Sequence, residues 1–143
     1  MKYLILLSAL FLTACSSTSG VNIGDTMNLI AQSEDSAPNG VQGTFRFRIK
    51  ASGIRKGEVF LNTELDYRDR RAITILLSPN IISEFTKRYG SPPDVYFVGK
   101  QIEVKGEAKR AKIYFFSRGR KTEKYYFQTH IKVSSVGQIK VLG

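Results

Sequence analysis

Residues 96–106 read YFVGKQIEVKG, and this stretch decides the fold that we expect for the chain. Gly99 and Gly106 enclose a segment in which Ile102 and Val104 alternate with polar and charged residues. Alternation with a period of two predicts a strand whose apolar face turns toward a core. Glycines beside such a strand permit the sharp bends that occur at the corners of small barrels. The stretch therefore predicts one strand of a β-barrel.

The segments before this stretch also alternate. Phe45, Phe47 and Ile49 are separated by basic residues, which predicts a first strand within residues 41–50 with one apolar and one basic face. A turn is expected at residues 53–57. The second and third strands are predicted at residues 58–64 and 72–77.

One helix interrupts the strands. Residues 80–89 place Ile81, Ile82 and Phe85 at helical spacing, and Gly90 is a suitable stop. Beyond the break at Pro92 the remaining segments are strand-like. They are residues 99–108, 112–116, 124–133 and 138–142.

Three strands, a short helix and further strands is the succession found in OB-fold barrels. The pattern GK-x-I-x-V-x-G within residues 99–106 resembles the strand after the helix in small bacterial OB-like domains, and residues 59–64 and 66–68 resemble the second strand and its turn. The resemblance covers residues 41–142. It implies a mostly β, OB-fold-like barrel domain over residues 41–143, with one short helix between strands 3 and 4. A β-sandwich or an SH3-like barrel would give much the same pattern, and both stay open.

The N-terminus has the layout of a secretion signal. Lys2 supplies a positive start, and residues 3–12 form an apolar run shorter than the roughly 20 residues that span a bilayer. Leu12-Thr13-Ala14-Cys15 then resembles the lipobox of bacterial lipoproteins. The resemblance implies a signal peptide at residues 1–14, cleavage before Cys15 and attachment of lipid to the Cys15 thiol. The alternative is an ordinary cleaved signal that happens to contain a cysteine.

Lipid attachment would fix the compartment of the protein. Two or three acyl chains, such as palmitate, hold a protein on a membrane, whereas one chain binds only marginally. Ser16 resembles the outer-membrane sorting type, which implies a location on the outer membrane facing the periplasm. Residues 15–40 are mostly small or polar, and we interpret them as the lipidated N-terminus and a flexible linker. The alternative for residues 27–31 is an edge strand or helix turn docked on the domain.

The net charge of +10 is the unusual feature of the composition. Residues 99–143 carry eleven basic and three acidic side chains, whereas residues 15–98 carry ten and nine. A basic surplus favours anionic partners such as nucleic acid, anionic lipid head groups or acidic polysaccharide. With a single cysteine, an internal disulfide is excluded.

Strand alternation predicts where this surplus lies. If residues 118–122 form a hairpin turn, the two strands around it bring basic and aromatic side chains together on one surface. Aromatic rings interleaved with cations are typical of surfaces that bind single-stranded nucleic acid, where stacking contributes about 1–3 kcal/mol per base. The expected ligand-binding residues are Lys112, Tyr114, Phe116, Arg118, Lys124, Tyr126, His130 and Lys132. The alternative is a solvated strand face that guards against aggregation.

Catalysis is not expected from this sequence. His130 is the only histidine and Cys15 is assigned to lipid, so Cys-His and Ser-His-Asp sites lack members. We expect no cofactor and no zinc site, because the ligands are too few. Glu64, Asp66 and Asp69 form one acidic cluster, but the arginines beside it favour local charge pairing over Ca²⁺ binding.

These observations leave three hypotheses. The favoured one is a membrane-anchored lipoprotein with a non-catalytic OB-like module that binds an anionic or protein partner in the cell envelope. The second is binding of single-stranded nucleic acid at the envelope, which the fold alone supports weakly. The third is a structural protein that lies on anionic lipid beside its own anchor. The oligomeric state is not predicted.

Overall fold

The computed structural model describes residues 26–143, in which one seven-stranded sheet is accompanied by short helices. In chain order the elements are α1 (Thr26–Ser36), β1 (Val41–Arg48), β2 (Ala51–Arg55), β3 (Glu58–Asn62), β4 (Ile73–Leu77), α2 (Pro79–Tyr89), α3 (Pro93–Tyr96), β5 (Gln101–Ser117), β6 (Arg120–Val133), a 3₁₀ turn (Val136–Gln138) and β7 (Ile139–Val141). The strand order is β1-β5-β6-β4-β3-β2, with β7 added beside β5. All pairs are antiparallel except β4 with β6.

The sheet closes into a barrel because β1 and β2 are two halves of one bent strand. At the bend, the Ile49 amide donates to the Lys100 carbonyl and the Lys50 amide donates to the Asn62 carbonyl, both at 2.9 Å. The first half therefore pairs with β5 and the second half with β3. When the bent strand is counted once, α2 lies between the third and fourth strands. This is the OB-fold topology that the sequence predicted.

The barrel interior is filled by the alternate residues of the strands. Ile102 and Val104 are fully buried, which confirms their predicted direction. Phe45, Phe47 and Ile49 also point inward. Burial of one such side chain contributes about 1.5–3 kcal/mol, so this interior is the main source of stability. The other buried apolar residues of the strands are Val59, Leu61, Ile73, Ile75, Leu77, Ala108, Ile131, Val133 and Ile139.

Helix α2 packs its apolar face on the core. Ile81 and Phe85 are buried, and the Phe85 ring meets Phe97 edge-on at 5.3 Å between centroids. Proline at the first position suits a helix start, since its missing amide has no partner there. Gly90 ends the helix in a left-handed conformation, as expected.

Helix α1 differs from the linker that we expected over residues 15–40. Leu29 and Ile30 are buried in the core, and the Ser33 hydroxyl lies 2.8 Å from the Leu29 carbonyl oxygen and 3.1 Å from that of Ala108. The alternative expectation, an element at residues 27–31 that docks on the domain, describes this segment better, and the docked element is a helix. Only one narrow face of α1 is apolar, so the sequence of this segment shows no sustained helical periodicity. The predicted signal peptide, Cys15 and the linker up to residue 25 lie outside the described residues.

Two strand boundaries also differ from the prediction. Residues 51–55 form β2, so the turn expected at residues 53–57 consists only of Lys56 and Gly57, both with positive φ. The strands expected at residues 99–108 and 112–116 are one strand, β5. At Ala108 this strand exchanges its partner β1 for β6 as it leaves the barrel, and two exposed basic residues, Lys109 and Arg110, follow. In the sequence, these basic residues indicated a loop between two strands.

Candidate functional site: a groove and a ribbon on opposite faces

The hairpin of β5 and β6 extends beyond the barrel. Strand β1 stops pairing with β5 at Ala108, and β4 pairs with β6 only from Thr129 onward. Within residues 26–143, residues 109–117 of β5 therefore pair only with β6, and residues 120–128 of β6 pair only with β5. We call residues 109–128 the ribbon. Arg118 and Gly119 form its turn with φ of 50° and 76°, which is the type I′ geometry that glycine favours.

The length of this turn decides which side chains share a face. A two-residue turn pairs even-numbered residues of β5 with odd-numbered residues of β6, as in Lys112 opposite Phe127 and Tyr114 opposite Tyr125. A bulge near the turn adds two residues to β6 and leaves this parity unchanged. The five-residue turn expected at residues 118–122 would instead have placed even-numbered residues of β5 opposite even-numbered residues of β6. The prediction that the two basic-aromatic faces are neighbours on one surface is therefore wrong, because they lie on opposite faces of the ribbon.

The first face of the ribbon carries a ladder of cations and rings. The Arg110 guanidinium lies 4.2 Å from the Phe127 ring centroid, the Lys112 ammonium 3.9 Å from Tyr125, and the Lys121 ammonium 3.7 Å from Tyr114. We call these six residues the ladder. Because Ala108 and Ile131 on the same face are core residues, the ladder continues the inward side of the sheet beyond the barrel. Each contact of this kind contributes about 0.5–1 kcal/mol at exposed sites.

The second face of β6 borders an open groove of about 380 Å³ on the outer side of the barrel. Its lining combines aromatic rings with neutral polar side chains, and Arg55 is its one cationic side chain. The groove is lined by Ser52, Gly53, Ile54, Arg55, Phe60, Asn62, Tyr67, Thr74, Ile113, Tyr126, Gln128 and His130. Strands β2, β3, β4 and β6 all contribute, because their outward residues alternate with the core residues.

A hydrogen-bonded chain crosses the groove. His130 Nε2 lies 2.7 Å from Gln128 Oε1, and Gln128 Nε2 donates to the Tyr126 hydroxyl at 2.8 Å and to the Tyr67 carbonyl at 3.3 Å. In this orientation of the amide, the imidazole donates from Nε2. Burial lowers the pKa of His130, so its ring is neutral at pH 7. Burial also raises the pKa of Tyr126, which keeps the phenol protonated.

The acidic cluster beside the groove is occupied by charge pairing. Asp69 accepts two bonds from the Arg71 guanidinium, at 2.7 and 3.0 Å, and these bonds lower the pKa of Asp69 to about 2. The Lys50 ammonium lies 2.8 Å from Glu64, and Asp66 accepts from the Arg68 amide. Across residues 26–143 no three histidine, cysteine or carboxylate side chains gather as a metal site would require.

A second cavity, of about 510 Å³, is bordered by α1, by the loop between β3 and β4 that carries the acidic cluster, and by the ribbon. Helix α1 contributes Ile30 and Glu34 to it, and the loop contributes Arg68 and Arg70. It reaches the edge of β6 that has no strand partner. None of the side chains expected to bind ligand lines it except Tyr126.

The structure divides the predicted binding residues between the two faces. Lys112 and Tyr114 belong to the ladder, whereas Tyr126 and His130 line the groove. Lys132 lies opposite Leu76 on the outer face, and Cys15 is outside the described residues. The remaining three lie toward the ribbon end: Phe116 is close to the turn, Arg118 is in the turn, and Lys124 is in the bulge. The prediction placed Tyr125 and Phe127 on the opposite face and left out other residues that the structure brings together: Arg110 and Lys121 in the ladder, and Phe60, Tyr67 and Gln128 in the groove.

No protein-family model matches the chain, and no curated protein matches it by sequence. The solved structures that are similar in fold include two aspartyl-tRNA synthetases. A chain assigned as the aspartyl-tRNA synthetase of Leishmania major Friedlin aligns with a TM-score of 0.50 and 11% identity over 94% of this chain. The aspartyl-tRNA synthetase of Entamoeba histolytica aligns with a TM-score of 0.50 and 14% identity over 90% of this chain. This chain covers 22% of either synthetase, and at this level of identity the likeness shows the fold alone.

Proposed function

We propose that this OB-fold barrel is a binding module without a catalytic step, and that its groove holds a segment of single-stranded nucleic acid. The observation that carries the proposal is the composition and place of the groove. It lies on the outer face of β3 and β4, which correspond to the strands 2–3 face on which OB folds bind oligonucleotides and oligosaccharides. The similar structures are named as enzymes that act on a tRNA, which agrees with such a ligand.

The side chains of the groove suit a base better than a simple anion. Phe60, Tyr67 and Tyr126 offer rings for stacking, and His130 and Gln128 offer neutral hydrogen-bonding groups. Base stacking on aromatic side chains contributes about 1–3 kcal/mol per base, independently of sequence. Arg55 at the groove and Arg68 beside Tyr67 supply positive charge for a phosphate backbone.

The test is fluorescence anisotropy of the full chain with labelled single-stranded oligonucleotides, titrated at several salt concentrations. We expect log K to fall linearly with log salt, and Tyr126→Ala to weaken binding about 5- to 100-fold through lost stacking. Tyr125→Ala is the matched control, because the adjacent side chain points to the opposite face. Equal losses in the two variants, or no binding at low salt, would refute the groove as the nucleic-acid site.

We further propose that lipid on Cys15 anchors this module in the cell envelope, on the outer membrane facing the periplasm. The support is the signal-like sequence before Cys15 and the absence of a second cysteine to pair with it. No helix among residues 26–143 has the length and apolar character to cross a bilayer. An anionic polymer or a protein of the envelope is the competing partner for the groove.

Mass spectrometry of the native product tests the anchor. We expect a mass that corresponds to residues 15–143 plus a diacylglycerol, and incorporation of labelled palmitate that Cys15→Ser abolishes. An unmodified thiol with the first fourteen residues still attached would contradict the proposal.

A further inference from the structure

The ribbon carries a positive charge and exposed aromatic side chains that have no role in the proposed function of the groove. It contains seven basic side chains and one acidic side chain, Glu123. Its basic residues are Lys109, Arg110, Lys112, Arg118, Arg120, Lys121 and Lys124. A two-stranded extension of this kind gains little stability of its own. The basic surplus of the ribbon favours an anionic partner.

The ladder is poorly suited to stack bases. Its cations already cover the rings of Phe127, Tyr125 and Tyr114 at 3.7–4.2 Å, and a base would have to displace them. The apolar surface that stays open lies at the end of the ribbon. There Phe116 is 60% exposed and Phe115 is 45% exposed. Among residues 26–143, Phe116 has no ring or cation contact of the kind that the ladder shows.

This arrangement matches the chemistry of a bilayer surface with anionic lipid. Exposed rings at a tip can enter the boundary between head groups and acyl chains, while lysine and arginine beside them meet negative head groups. Arg118, Arg120 and Lys121 surround the turn next to the two phenylalanines. We propose that the tip of the ribbon docks on an anionic membrane surface through Phe115 and Phe116. The inference does not depend on what the groove binds.

The chain contains no tryptophan, which permits a site-specific test. Phe116→Trp places the only tryptophan of the full chain at the tip, and its emission is excited selectively over that of the seven tyrosines. Insertion of the N-terminal apolar run therefore produces no tryptophan signal. With vesicles of phosphatidylglycerol and phosphatidylcholine we expect a blue-shifted emission and quenching by brominated acyl chains. Val95→Trp is the matched control, because Val95 is exposed on α3 near the opposite end of β5, and we expect no quenching there.

Charge variants in the Phe116→Trp chain test the electrostatic part. Arg120→Gln with Lys121→Gln should weaken binding to anionic vesicles about 10- to 30-fold. Lys87→Gln with Lys105→Gln removes the same charge from exposed positions off the ribbon, and we expect a change within about twofold. The assay is repeated with pure phosphatidylcholine, where we expect the tip to stay unquenched.

Four outcomes would overturn the proposal. The first is a tip tryptophan that stays unquenched when the protein sediments with anionic vesicles. The second is equal weakening by the two pairs of glutamines. The third is a spectral shift with a single-stranded oligonucleotide and none with vesicles, which would assign the tip to nucleic acid. The fourth is a blue shift that grows with protein concentration in the absence of lipid, which would assign the tip to a second copy of the chain.

Discussion

His130 is the only histidine of the chain, and it holds the inner end of the hydrogen-bonded chain in the groove. Its neutral ring donates to Gln128, which in turn fixes the hydroxyl of Tyr126. Because burial disfavours the charged form, the pKa of His130 is lower in the folded protein than its ordinary value of 6.5. Protonation would place a cation beside groups that are arranged around a neutral donor. The geometry of the groove is therefore coupled to pH.

The coupling has a defined sign. The unfolded chain binds a proton at this residue at higher pH than the folded chain does, so the free energy of unfolding falls as pH drops below about 6.5. We expect urea unfolding to show a steeper loss of stability between pH 7.5 and 5.5 for the natural protein than for His130→Gln, by at most about 1.4 kcal/mol per pH unit. Parallel slopes for the two proteins would contradict the coupling.

At the scale of elements, α1 is a docked part of the fold. It packs against β1 and β5, and Ser33 lies within hydrogen-bonding distance of the Ala108 carbonyl oxygen, where β5 leaves the barrel. The helix thus covers the core at the point where β1 begins. A tether with no fixed contacts would leave Leu29 and its neighbour Ile30 in water.

Shortening one side chain of α1 tests this role. Leu29→Ala removes a buried side chain and should lower the free energy of unfolding by about 2–5 kcal/mol, measured by urea denaturation. Met27→Ala on the same helix removes a side chain that is 53% exposed, and we expect a change of less than about 1 kcal/mol. If both variants were equally harmless, α1 would contribute nothing to the stability of the barrel.

At the scale of the whole molecule, local pattern predicted the strands and their inner faces, and long-range pairing decided the rest. The alternation of Phe45, Phe47 and Ile49 was sufficient to place them in the core. The bend at Lys50 was not visible, because it depends on two carbonyl partners, Lys100 and Asn62, that are distant in sequence. The helix α2 was recognised because its stop and its apolar spacing are both local.

The candidate site was recovered less well than the fold. Residue types identified the right hairpin, since its basic and aromatic side chains are frequent in that part of the chain. Which of them share a face depends on the turn, and a turn of two residues was mistaken for one of five. The outward residues of β2 and β3 carry no unusual composition, so Phe60 was passed over.

The type I′ turn at Arg118 and Gly119 therefore has a consequence for how this chain tolerates insertions and deletions. Suppose that the turn were lengthened by a single residue and every strand residue were retained. On one of the two strands, the side chains that face the groove would then face away from it, and those that face away would face the groove. Relatives of equal composition but different loop length at this point would present different chemistry. Comparison of such chains by residue identity alone would miss the change.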